Sequence, residues 1–68
     1  MEVKEMTIEK FFYNSKAIRE RLKNIGINTV GELCNCTRRQ LADNGIENLY
    51  IKEIVIALEC SGVDLRKK

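Results

Sequence analysis

Histidine is absent from the 68 residues, which removes the commonest general base and any cysteine–histidine nucleophile pair. Glu20 and Glu47 are the one acid pair worth weighing. No phosphate-cradling loop accompanies them, and a chain this short has no core large enough to enclose a substrate, so the reading is a protein that is not an enzyme. Proline is absent too, and no internal repeat or low-complexity tract divides the chain, so a single domain is expected. The cysteines are an odd three, Cys34, Cys36 and Cys60, and Met1 to Glu5 lacks the apolar segment of a secretory signal. A disulfide framework is excluded on that reading. Structural zinc takes four ligands that this chain alone cannot supply from cysteine and histidine, so no metal and no cofactor are expected. No run approaches the roughly 20 apolar residues of a membrane span, and a cytoplasmic location with no membrane partner is the expectation.

What is there is a globular balance, 44% hydrophobic and 32% charged, in a chain that buries only about 60% of its unfolded surface. Its stability is therefore expected to be modest. The net charge of +2 is too small to demand a polyanionic partner, but the cations are clustered. Lys16, Arg19, Arg21 and Lys23 lie together, Arg38 and Arg39 are adjacent, and Arg66-Lys67-Lys68 follows near the end. Two readings stand side by side: ordinary solvated faces, or a nucleic-acid footprint.

The stretch Gly26 to Leu33 organises the rest. Gly26 closes an amphipathic run by taking the left-handed conformation, and Thr29 with Glu32 three residues later is a capping box that opens the next helix. Ile27 and Val30 flank the turn and enter the core from both sides. Before this corner, residues Met1 to Met6 read as a polar, frayed tail. Thr7 caps a short first helix carrying Ile8, Phe11 and Phe12, Asn14-Ser15 interrupts it, and a main helix runs from about Ser15 to Asn24. Phe11 and Phe12 fold back as a lid on the core.

After the corner, a short helix from Val30 to about Cys36 buries Val30, Leu33 and Cys34, the last as a small hydrophobe. Thr37 and Gln40 form a second capping box, opening a helix that ends near Asp43-Asn44-Gly45. Arg38 and Arg39 sit in its first turn, where the dipole disfavours cations by roughly 0.3–1 kcal/mol each, so they serve something other than local stability. Asn48 is expected to cap the last helix, Leu49 to about Ser61, with Gly62 after its end. Ile51, Ile54, Val55 and Leu58 form its core stripe. Leu49, Ile56 and Cys60 fall in a second, apolar row, to be covered by the N-terminal segment or by a partner, a second copy of the chain included. Val63 and Leu65 tuck under the bundle.

The expected fold is all-α, a compact bundle of four to five short helices with helix-hairpin-helix turns. Leu22, Lys23, Gly26, Ile27, Thr29, Val30, Glu32, Leu33 and Thr37 match the spaced core pattern of a known family, and the similarity continues through Leu41, Ile51, Glu53, Ile54, Leu58 and Ser61 to Arg66. On these residues the chain resembles the C-terminal domain of the bacterial RNA polymerase alpha subunit. The resemblance implies a helical domain over 7–66 that binds the DNA minor groove and docks transcription regulators.

That family's groove face implies an Arg and an Asn on the main helix and a Gly and a Lys at the start of the last one. Here Ala17, Glu20, Glu47 and Leu49 hold those positions. Two cations are gone and two carboxylates face where a phosphate would lie, so the resemblance implies a scaffold whose former groove face contacts a protein, an RNA polymerase subunit or a regulator, with DNA bound weakly. Arg19, Arg21, Lys23, Arg38 and Arg39 are the candidate phosphate contacts that remain. The alternative is a DNA-binding helix-hairpin-helix module that offers backbone N–H groups at Gly45 and Ile46 to a phosphate.

Overall fold

The structure, a computed structural model, describes residues 2–67. Met1 and Lys68, ends of the expected tails, lie outside the described residues. The chain is all-α: a 3-10 turn at Val3–Glu5 precedes α1 (Ile8–Phe11), α2 (Lys16–Asn24), α3 (Val30–Cys34), α4 (Arg38–Asp43) and α5 (Asn48–Cys60). No strand occurs among the described residues.

Helices this short have little intrinsic stability, so their ends and their buried faces hold them. The ends are handled by two repeated devices. Thr29 and Thr37 each accept from the backbone N–H three residues on, while Glu32 and Gln40 reach back to the cap N–H, completing both capping boxes. At the other ends, α2, α4 and α5 each close on a glycine with positive φ, Gly26, Gly45 and Gly62. The geometry at the first is representative: Gly26 N–H donates to Lys23 at 3.0 Å and Ile27 N–H to Leu22 at 2.9 Å, the paired bonds of a Schellman turn. The same pairs recur at Leu41 with Ile46 and at Leu58 with Val63. Each turn thus joins a fully buried leucine to the apolar residue just past the glycine, and this directs the next segment back onto the core.

That core is made of Leu22, Val30, Leu33, Leu41, Ile54 and Leu58, all fully buried, with Ile8, Phe12, Ile18, Ile27, Ile46 and Leu65 around them. Phe12 is buried and Phe11 packs half-buried against its edge, their rings 4.8 Å apart in a T-shaped pair, as the lid reading requires. Cys34 is buried, and Leu65 tucks under, with Arg66 N–H bonded to the Cys36 carbonyl at 3.0 Å.

Two expectations are corrected. The tail expected over 1–6 is instead docked at 3–6: Val30 N–H donates to the Met6 carbonyl at 3.0 Å and Ile8 N–H to the Asn28 carbonyl at 2.9 Å, clamping the Gly26 corner. Gly31 makes the approach possible, because a Cβ there would meet the Lys4 carbonyl oxygen at 3.0 Å. Asn48 does not cap α5. Glu47 does, extended at ψ 148°, with its carbonyl accepting from Tyr50 and Ile51, so the helix begins one residue earlier.

Candidate functional site

Several surfaces carry the residues singled out from the sequence. The first lies where α2 meets the start of α5. Ala17 and Arg21 are one turn apart on α2 and Glu20 borders them. Arg21 reaches across to Glu47, donating to its carboxylate at 3.0 Å, and its guanidinium lies 4.6 Å from the Tyr50 ring centre. The hydrogen bond to Glu47 is the main cause that pushes the Arg21 pKa above its ordinary value. Arg21, expected as a phosphate contact, is therefore already paired within the chain, at its surface. Glu20 lies beside Lys16 at 4.0 Å, so neither carboxylate of the weighed acid pair is free of a cation.

This arrangement also explains the start of α5. The Glu47 side chain makes no cap bond because Arg21 draws it away, yet its charge still sits favourably at the positive end of α5. The Gly45 and Ile46 N–H groups, which a helix-hairpin-helix would aim at a phosphate, donate instead to the Ala42 and Leu41 carbonyls at 3.0 Å each.

The second surface is the outer side of α5. Leu49 and Ile56 are 55% and 62% exposed and Cys60 is exposed beside them in the helical register, so the apolar row is uncovered. The N-terminal segment, offered as one possible cover, is docked on α3 instead. Ile56 borders a shallow recess of about 200 Å³ with Arg38, Ile51, Lys52 and Val55.

Beyond these, the fold sorts the other candidate cations into two separate places. Lys16, Arg19 and Lys23 line a cleft of about 340 Å³ against Thr7, Ile27 and Asn28. Its charge is largely compensated: Lys23 lies 3.7 Å from Glu9 and Lys16 lies beside Glu20. Arg19 is half-buried there, and its Nε has no hydrogen-bond partner. Arg38 and Arg39 are elsewhere. They line an open groove of about 610 Å³ with Thr37, Gln40, Asp64, Leu65, Arg66 and Lys67. The sequence names Arg38 and Arg39 beside Arg19, Arg21 and Lys23 as candidate phosphate contacts but gives no sign that the segment after Gly62 brings Arg66 and Lys67 to them. Leu65, spaced to reach the core, was the available signal.

Among the described residues no cluster of three or more metal-ligating side chains occurs, and no helix is long and apolar enough to cross a membrane. Comparison of the chain with protein-family models, with curated proteins and with solved structures returns no match.

Proposed function

We propose that the chain is a non-catalytic module of bacterial transcription, of the kind that the RNA polymerase alpha subunit carries at its C-terminus. On this reading the α2/α5 face contacts an RNA polymerase subunit or a transcription regulator and does not read DNA. One observation carries the preference: Arg21 is held by Glu47 and Tyr50, so the only arginine on the face that would enter a minor groove already has its partners. Adjoining it, Leu49 is exposed where a groove-binding surface would need a cation, and an apolar contact favours a protein partner. The second reading, a DNA-binding helix-hairpin-helix, is less favoured because the Gly45 and Ile46 amides are occupied within their own turn.

The test is capture from bacterial extract with the tagged chain, scored for RNA polymerase subunits and regulators, beside Leu49→Asp. The expected result is retention of such a protein by the native chain and its loss from the variant. Sequence-specific duplex binding at submicromolar affinity that Ala17 and Glu20 substitutions abolish would overturn the reading.

A further inference from the structure

Arg38, Arg39, Arg66 and Lys67 converge on one groove from two segments that are far apart in sequence, with Asp64 the only acid among its lining residues. We infer that this groove, on a different element from the α2/α5 face, binds the phosphodiester backbone of duplex nucleic acid without reading bases.

Several observations lead there. Among the described residues, none of the four cations makes an ion pair, whereas Lys16, Arg21 and Lys23 on α2 all do. The convergence is built in: the Schellman turn at Gly62, the buried Leu65 and the Arg66 N–H bond to the Cys36 carbonyl hold the last segment against the start of α4. Arg38 and Arg39 occupy a first turn that contains no acid, a placement that does nothing for the helix. Asp64, whose carboxylate accepts from the Leu65 N–H at 2.7 Å, offsets one of the four positive charges and leaves the lining cationic.

A phosphate backbone fits better than an acidic protein segment. Thr37 and Gln40, the neutral polar side chains in the groove, are locked to each other's backbone in the capping box, and Leu65 is buried. What the groove presents is mainly positive charge, with three guanidinium forks suited to phosphate oxygens. The inference does not depend on what the α2/α5 face contacts.

The experiment is fluorescence anisotropy of a labelled mixed-sequence duplex of about 20 base pairs with the full chain, between about 50 and 200 mM salt. Four neutralised phosphates give a log–log salt slope of about −3.6, and binding weaker than about 1 µM at physiological salt, unchanged when the sequence is scrambled. Arg38→Glu with Arg39→Glu should weaken binding at least about tenfold and flatten the slope by about 2. Lys10→Glu with Lys16→Glu makes the same change in net charge away from the groove and should shift affinity by no more than about twofold; circular dichroism checks that both variants fold. Equal losses in the two variants would mean a net-charge effect and would overturn the groove. So would tighter binding of a labelled polyglutamate peptide than of the duplex, or no duplex binding at low salt.

Discussion

At the scale of single residues, the glycines at helix ends and the cysteines give the sharpest tests. Gly26 has φ 83° and open space where a Cβ would be, so replacing it brings strain without a clash. A left-handed alanine costs about 1–2 kcal/mol, partly offset by about 0.4–1 kcal/mol from a stiffer unfolded chain. Gly26→Ala is therefore expected to lower the urea-unfolding free energy by about 1 kcal/mol with an unchanged slope.

Burial pushes the Cys34 thiol pKa up, and burial does the same at Cys36, whose thiol also donates to the Glu32 carbonyl at 3.6 Å. Unfolding exposes both thiols, so above the ordinary thiol range the unfolded chain loses protons that the folded chain keeps. Stability from this source is intact below that range and falls as pH rises through it. Unfolding curves at neutral and alkaline pH should show that loss, and a smaller one in Cys34→Ala. Exposed Cys60 should react with a thiol reagent at once, and Cys34 only on opening.

At the scale of elements, much was readable from side-chain chemistry with short range. The capping boxes at Thr29 and Thr37 and the glycine stops are local devices, and the structure has all of them where the spacing places them. Asn48 is instead the first residue of α5, and the Glu47 side chain before it is paired with Arg21, 26 positions away, a contact that no local signal reports. The N-terminal segment was misread for a similar reason: its anchor is a space at Gly31, which is a property of two elements together.

That space can be tested. In Gly31→Ala, a gain of about 1 kcal/mol in helix propensity opposes contact with the Lys4 carbonyl. The segment should be displaced while the core holds. Hydrogen exchange of the Val30 amide, which bonds to Met6, should accelerate at least about tenfold, with global stability changed by less than about 1 kcal/mol.

At the scale of the whole molecule, a chain of 68 residues has a stability of only about 3–10 kcal/mol, and six fully buried side chains form the centre. Leu33→Ala, costing about 3 kcal/mol, should bring the protein close to unfolding at ambient temperature, read as a large drop in midpoint denaturant concentration. The apolar periodicity made the bundle and its core stripe on α5 legible in advance. The division of labour among the cations was not. Lys16, Arg19, Arg21 and Lys23 are neighbours in sequence, but helical geometry turns Arg21 toward Glu47 and the others into the cleft where Lys23 meets Glu9 and Lys16 meets Glu20, while Arg38 and Arg39 gain Arg66 and Lys67 through the return of the last segment.

The central proposal is that the α2/α5 face does not contact nucleic acid. Amide chemical-shift mapping of the labelled protein during titration with duplex DNA addresses it most directly. The account predicts shifts confined to Arg38, Arg39, Arg66, Lys67 and their neighbours, with Ala17, Glu20, Arg21, Glu47 and Leu49 unmoved. Saturable shifts centred on those five residues, with the α4 groove silent, would contradict it.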